Sequence, residues 1–339
     1  NDSSVWTFTP KTAAQIGASV AAGNLPDSNG DFIYTFKWSD GINFVSKAVT
    51  IAYSPSGGGG GGGASMNSTP DYSFGGEGGK GVVIVRYKIG SAQTKSAKAT
   101  GGAISYYNGR TIHTFLTPGT FENTSGSPLG IDYVLVGGGG AGMNDAGSGG
   151  GAGGVLTNIP GMMPATSSIS DVQTGAPNAL TISVGQGGQG RRSYNNKVDQ
   201  RNDGGDTTMS GTGINVTAIG GGSAAATNGP GDSGGEGPAY SGRDGGSGGG
   251  ARFGRSNNEA GSGIAGQGNP GFGPDTGGGG GAGHAGGPGS GGTATGHGGA
   301  GVQLPAIFQN PAETIGAPGP GGGGFWIAAG GGGGYYGGR

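Results

Sequence analysis

The sequence predicts an all-β chain in which short strands hand over to glycine runs, and three observations carry that expectation. Glycine supplies 93 of 339 residues and charged residues only 11%, so the average residue has little side chain to bury. An ordinary hydrophobic core cannot fill such a length. Segments of β type recur between turn residues, and no stretch has the apolar period of an amphipathic helix. Finally, one junction repeats. Ile131-Asp132-Tyr133-Val134-Leu135-Val136 breaks into Gly137-Gly138-Gly139-Gly140-Ala141-Gly142, Val184 runs into Gly185, and Ile219 into Gly220-Gly221-Gly222. Phe325-Trp326-Ile327-Ala328-Ala329 lies between the glycine runs 321–324 and 330–334.

In chain order, residues 1–56 differ from the rest. Residues 32–38 and 46–53 alternate with period two around Ser39-Asp40-Gly41, which reads as a small antiparallel β-unit. Its pattern, from Tyr34-Thr35-Phe36 through Trp38-Ser39-Asp40-Gly41 to Ala48-Val49-Thr50-Ile51, resembles the last strands of bacterial and viral immunoglobulin-like modules. Asp27-Ser28-Asn29-Gly30-Asp31 alternates oxygen ligands but lacks the glycine and glutamate spacing of an EF-hand, so it reads as a polar turn. Residues 57–102 read as a glycine-rich link holding one strand, the β-branched Val82-Val83-Ile84-Val85-Arg86-Tyr87. Residues 103–219 read as a β-sandwich with glycine-rich excursions. Its first hairpin pairs Ile104-Ser105-Tyr106-Tyr107 with Thr111-Ile112-His113-Thr114-Phe115 around Asn108-Gly109, which takes positive φ at low cost. Further strands are expected over 132–136, 155–159, 180–184 and 214–219. From 220 to 339 strands nearly vanish, leaving glycine runs separated by polar inserts.

Two ordered structures could use so much glycine. Collagen needs glycine at every third position, and Gly271-Phe272-Gly273-Pro274-Asp275 breaks that register. Extended three-fold helices of the polyproline-II type leave every N–H and C=O pointing sideways. Without side chains, such helices can approach closely enough to pair those groups with their neighbours, aided by Cα–H···O contacts. Residues 220–339 are therefore expected to form a polyglycine-II bundle in which glycine is the core residue and variable residues collect at the rim. Disorder is the competing expectation, because glycine loses the most backbone entropy on ordering.

The hairpin over 104–115, Asp132-Tyr133-Val134-Leu135-Val136 with its glycines, Leu180-Thr181-Ile182-Ser183-Val184-Gly185-Gln186-Gly187 and Gly204-Gly205-Asp206 together resemble the glycine-rich repeat domain of phage tail-fibre and other structural proteins of marine cyanophages. That family closes with Gly-x-Gly-Val-Val-Ile-x-Arg-Tyr, found here as Gly79-Lys80-Gly81-Val82-Val83-Ile84-Val85-Arg86-Tyr87. The middle of the chain is also similar to the glycine-rich region of anaplastic lymphoma kinase, where a jelly-roll-like β-sandwich carries a polyglycine-II bundle. The resemblance spans about residues 74–339 and implies a structural or adhesive role in an extracellular or virion setting. One departure stands out: the closing strand precedes the glycine-rich body. Either residues 57–88 end a preceding repeat, or Val82, Val83, Ile84, Val85, Arg86 and Tyr87 complete a sandwich within this subunit or in a neighbour, as an exchanged strand.

Several chemistries are excluded or weighed down. The net charge of −2 without a basic cluster argues against a nucleic-acid partner. The lack of cysteine removes disulfides, thiolate zinc sites and a thiol nucleophile. No run approaches the roughly 20 apolar residues that cross a bilayer, so membrane insertion is not expected. Asn1 is neither an initiator methionine nor the start of a signal peptide, which points to a processed or excised segment. Gly137-x-Gly139-x-x-Gly142 and Gly185-x-Gly187-x-x-Gly190 formally match a dinucleotide fingerprint, but no helix follows to hold a pyrophosphate. His113, His284 and His297 are scattered and read as surface or rim residues, and Gly204-Gly205-Asp206 lacks the nine-residue period of calcium repeats. No enzymatic activity and no cofactor are expected.

What remains are recognition and self-association. Tyr240, Phe325, Trp326, Tyr335 and Tyr336 interrupt polar or glycine-rich sequence, with Phe253 and Phe272. They either seal the bundle and pack on the sandwich, or form loops that bind a cell-surface glycan or outer-membrane receptor. Asn67, Asn123 and Asn215 open glycosylation sequons. The leading expectation is a structural or adhesive segment of a phage tail fibre or virion appendage. The other is a subunit of a cellular extracellular filament or matrix, glycosylated and polymerised by β-strand exchange.

Overall fold

The computed structural model describes residues 31–39, 44–52, 57–63, 75–88, 97–143, 147–190, 202–225, 241–252, 259–274, 276–289, 295–310, 315–319 and 323–334. The chain divides into two compact units, residues 1–54 and 55–339. In the first, β1 (Asp31–Ser39) and β2 (Phe44–Ala52) form an antiparallel two-stranded sheet in the register Phe32↔Ile51 to Trp38↔Val45. The hairpin follows the period-two alternation of both segments.

Among its described residues the second unit is all-β apart from two three-residue 3₁₀ turns, Ala176–Asn178 and Ala306–Phe308. Its strands are β3 (Val82–Lys88), β4 (Ala99–Thr100), β5 (Ala103–Tyr107), β6 (Arg110–Phe115), β7 (Gly119–Asn123), β8 (Asp132–Val136) and β9 (Val155–Thr157). They continue as β10 (Leu180–Ser183), β11 (Thr207–Gly211), β12 (Ile214–Ala218), β13 (Val302–Gln303) and β14 (Trp326–Ile327). Two five-stranded antiparallel sheets result, ordered β5-β6-β3-β8-β9 and β12-β11-β10-β7-β4. Between them lies one core, built from Val83, Val85, Tyr87, Tyr133 and Leu135 of the first sheet and Phe121, Leu180, Ile182, Met209 and Val216 of the second.

The first sheet is covered on its outer face as well. Val82, Ile84, Ile112, Val134 and Val155 pack there against Leu304, Phe308, Ile315 and Ile327 from the C-terminal part of the chain. This explains why β3 reads as a continuous apolar run rather than an alternation: a strand buried on both faces needs apolar residues at every position. Arg86 is the exception on that outer face. Its guanidinium pairs with Asp132, its register partner on β8, and stacks over the Phe308 ring at 5.2 Å.

β3 settles in the middle of its own sheet, between β6 and β8 of the same chain. Within this chain the strand expected over Val82–Tyr87 pairs on both sides with strands of its own sandwich. Its position before the glycine body follows from antiparallel order. Glycine runs leave the C-terminal ends of β8, β10 and β12 and enter the N-terminal ends of β3, β9 and β11. Since these strands alternate in direction, all six junctions sit at one end of the sandwich.

Candidate functional site

At that end the strand ladders give way to a lattice of glycine segments. The run 137–142 shows its rule. Gly137, Gly138 and Gly139 donate their N–H groups to Gly154, Gly205 and Gly79, and Gly140, Ala141 and Gly142 donate to Gly151, Asn202 and Gly76, at 2.8–3.0 Å. Three successive residues address three different segments, and the next three return to the same ones. That period is the signature of an extended three-fold helix. The carbonyls of Gly138, Gly139 and Gly140 accept from Gly221, Gly188 and Gly61, so this run is bonded to six surrounding segments. Residues 149–154 follow the same rule, donating in turn to segments around Gly277, Gly61 and Gly222.

The spacing leaves no room for most side chains. A Cβ on Gly138, Gly139 or Gly140 would lie well inside contact distance of the carbonyls of Gln186, Gly59 and Gly222 respectively. Ala141, Ala152 and Ala224 are nevertheless fully or almost fully buried within the lattice, so single methyl groups occupy selected gaps. The glycines 57–63 belong to the same lattice. Gly60 donates to Ala329, Gly61 to Gly140 and Gly63 to Gly332. The expectation of a mere link there is corrected, because a glycine run carries no side chains to reveal which neighbours will saturate it.

At the rim, where a neighbouring helix is absent, side chains replace its carbonyls with the same period. Asp206 accepts the Gly220 N–H at 2.8 Å, and Asp203 accepts the Ser223 N–H at 2.9 Å while pairing with Arg243 at 2.7 Å. On another edge, Ser241 and Asp244 accept the N–H groups of Glu259 and Ser262. The spacing Asp203-x-x-Asp206 was a sequence signal for this capping: two acceptors three apart fall on one side of a three-fold helix. Gly204-Gly205-Asp206 therefore serves the lattice. The fingerprint-like Gly137–Gly142 segment likewise spends its N–H groups on the carbonyls of neighbouring lattice segments.

Among the described residues, those singled out from sequence fall at several places in the fold, and Phe325 shares a cluster with Val82 and Ile84. Phe325 is half-buried against the outer core cluster with φ of 65°, and its carbonyl accepts the Leu304 N–H. Trp326 lies on β14, bonded reciprocally to Ala317 and paired with Gln303. Phe325 thus helps to cover the outer face of the first sheet. Asn215 is exposed on β12. Asn123 is fully buried, its Nδ2 donating to Ser127 and Val172 at 2.8 and 2.7 Å and its Oδ1 accepting from Ser125. A glycan on that nitrogen would displace these bonds, so the folded domain does not present Asn123 as an acceptor. Asn67, Tyr240, Tyr335 and Tyr336 lie outside the described residues, as does Phe253.

His284 and His297 are exposed, but His113 is a correction: it is fully buried in the sandwich. Its Nδ1–H donates to the Gly101 carbonyl at 2.7 Å, which leaves Nε2 to accept the Tyr87 hydroxyl at 3.1 Å. That hydroxyl in turn accepts the Ala99 N–H at 3.1 Å. Burial pushes His113 below its ordinary value, partly offset by the Gly101 bond, and pushes the Tyr87 phenol up. The chain-order alternation Ile112/His113/Thr114 placed His113 opposite Ile112 but could not say that both faces of its sheet are covered. Among the described residues no group of three or more His, Asp and Glu converges as a metal set, and no helix is long and apolar enough to cross a membrane.

A further surface escaped the sequence reading. Ile104, Tyr106 and Leu116 are 40%, 51% and 42% exposed along β5 and the turn after β6. Beside them a groove is lined by Gly102, Ala103, Phe115, Leu116 and Pro118. In sequence these positions read as an ordinary half-buried hairpin.

A family model described as a glycine-rich domain matches residues 115–339. No curated protein and no solved structure matches the chain. The matched residues hold most of the lattice, the second sheet apart from β4, and the C-terminal cover, and the chain belongs to the glycine-rich domain family.

Proposed function

We propose that this chain is a non-enzymatic structural and adhesive segment of a phage tail fibre or virion appendage, working outside cells and associating with itself. The observation that carries the reading is the lattice. Its cohesion comes from backbone hydrogen bonds rather than from side-chain packing, which in this reading leaves the residues between glycine runs available for recognition. A rigid base with variable connections is the arrangement that displays recognition loops. Tyr240, Tyr335 and Tyr336 are the proposed anchors on a cell-surface glycan or outer-membrane receptor, since Tyr supplies contact area at low entropy cost. The resemblance to phage fibre domains supports the setting, and the jelly-roll-like and immunoglobulin-like descriptions of the two units belong to the same proposal. Neither nucleic acid nor a membrane interior is a proposed partner.

The test is imaging and fractionation of the native source. Co-purification with capsid or tail proteins is the expected outcome, together with loss of host binding when Tyr240, Tyr335 and Tyr336 are replaced by alanine. A second reading is an extracellular filament subunit built by strand exchange, in which a neighbouring copy would supply β3 and reproduce the pairings to β6 and β8 that it makes within this chain. Free filaments without virion proteins, and sugar on Asn215, would support it over the first.

A further inference from the structure

The lattice is bare along one side. Several of its outer segments carry polar side chains at exposed or half-buried positions three apart, such as Glu77 and Lys80, Gln186 and Gln189, and Asp203 and Asp206. Two neighbouring outer segments differ. Residues 57–63 and 329–334 lie side by side, Gly60 donating to Ala329 at 2.8 Å and Gly63 to Gly332 at 2.7 Å. Gly62 and Ala329 are exposed, and Gly59 and Gly332 are half-buried. A Cβ at Gly59 would meet only the Ala329 carbonyl, at 3.4 Å, and one at Gly62 only the Gly332 carbonyl, at 3.9 Å. Both are ordinary contacts, and neither glycine has a positive φ. The described fold therefore has room for side chains at 59 and 62, and glycine there costs backbone entropy without a return inside the chain.

The same two segments leave hydrogen bonds unmade. Around residues 57–63 the neighbours are met by C=O and N–H in alternation. The Gly59 and Gly62 carbonyls accept from Gly79 and Gly76, the Gly61 N–H donates to Gly140, the Gly58 and Gly61 carbonyls accept from Gly153 and Gly150, and the Gly60 and Gly63 N–H groups reach the 329–334 segment. The next direction falls to the carbonyls of Gly60 and Gly63, which accept from no described residue. By the same alternation around 329–334, the N–H groups of Ala329 and Gly332, which no described residue accepts, turn to that same slot.

We infer that this slot binds an extended glycine segment of a partner protein, which enters as one more three-fold helix of the lattice. One wall offers acceptors and the other donors, each repeating every third residue, and a chain of that period satisfies both. At lattice spacing the occupant must also lack side chains where it faces Gly59 and Gly62. The mode is strand addition at a sheet edge transferred to a polyglycine lattice, with main-chain bonds supplying the affinity. A second copy does not fit through its own bare side. A two-fold axis parallel to the segments sets donor against donor and acceptor against acceptor, and one across them stacks segment on segment instead of nesting one in the slot.

The experiment titrates the full, nitrogen-15-labelled chain with a soluble peptide, a run of glycines between lysine pairs. The Ala329 and Gly332 amides should shift and exchange more slowly as the peptide saturates the slot. A peptide of N-methylated glycines, which has no N–H for Gly60 and Gly63, should bind at least tenfold more weakly. Gly62→Val should also weaken binding at least tenfold with unchanged circular dichroism and denaturant midpoint, while Gln189→Val on another outer segment should leave binding intact. No saturable binding of the glycine peptide overturns the inference, and so does binding that Gly62→Val leaves unchanged. A dimer of the unmodified chain, seen by sedimentation equilibrium and dissolved by Gly62→Val, also overturns it by giving the slot to a second copy.

Discussion

The sandwich and the glycine lattice meet end to end, yet they solve the same problem by opposite means. In the sandwich, backbone groups pair along ladders and stability comes from side chains buried on both faces of the β5-β6-β3-β8-β9 sheet. In the lattice, side chains are excluded, and each three-fold segment spends its N–H and C=O groups on up to six neighbours. The difference teaches where each region is fragile. A sandwich tolerates a change of side chain in proportion to the volume lost, whereas the lattice should tolerate almost no addition.

The most severe break in that contrast is Gly139→Val. Its Cβ would fall onto the Gly59 carbonyl, which belongs to a neighbouring run and cannot withdraw alone. A loss above ~4 kcal/mol is expected, in the exceptional range for one substitution, read as failure to refold or a collapsed denaturant midpoint. Ala141→Gly, two residues on, should cost no more than about 1 kcal/mol. Equal effects of the two would refute the close-packed lattice. In the sandwich, Phe121→Ala should cost ~3–5 kcal/mol by urea unfolding, because a fully buried ring leaves a cavity.

A smaller effect separates charge from volume. Asp132→Ala should cost about 3 kcal/mol, since it leaves the buried Arg86 guanidinium without its carboxylate partner. Arg86→Met, which removes the charge and keeps the volume, should be within ~1 kcal/mol of the unmodified protein. If Arg86→Met proves the more damaging, the pair stabilises more than its desolvation costs.

Acid should touch the sandwich first. The folded state holds His113 below its ordinary value. Above about pH 6.5 both folded and unfolded chains carry neutral imidazole, and stability is full. As pH falls below that value the unfolded chain takes up the proton first. Stability then declines by at most ~1.4 kcal/mol per unit until pH passes the folded value, where the decline ends. His113→Gln should flatten this slope in denaturant midpoints measured from about pH 7.5 to about pH 5. The smallest effect belongs to the rim: Asp206→Ala should cost ~1 kcal/mol, the worth of one backbone acceptor, and local hydrogen exchange at Gly220 should quicken.

The elements themselves were legible. β3, the Asn108-Gly109 hairpin, β8 and β10 stand within a residue of their expected bounds, because β-branched runs between turn residues bias the chain locally. β11 was missed, since Thr207-Thr208-Met209-Ser210 lacks a clear alternation of apolar and polar residues. Among site residues, Asn123 and His113 read as surface groups from their neighbours in sequence. Their burial depends on β7 and Val172 for the one and on Tyr87 and Phe121 for the other. Ile104 and Tyr106 were hidden for the converse reason, as apolar residues in a hairpin look buried until the sheet order places their strand at an edge.

By itself, then, the sequence determined the all-β class, the positions of the β-branched strands, the absence of thiol chemistry and the need for a glycine-built structure, all of which follow from composition and local spacing. Only the tertiary structure decided which face each strand buries, that residues 57–63 join the lattice, that Arg86 meets Asp132, and that β5 ends its sheet among the described strands. Those outcomes depend on segments far apart in the chain. A glycine run, which carries no side chain, leaves no local record of the neighbours that will accept its hydrogen bonds.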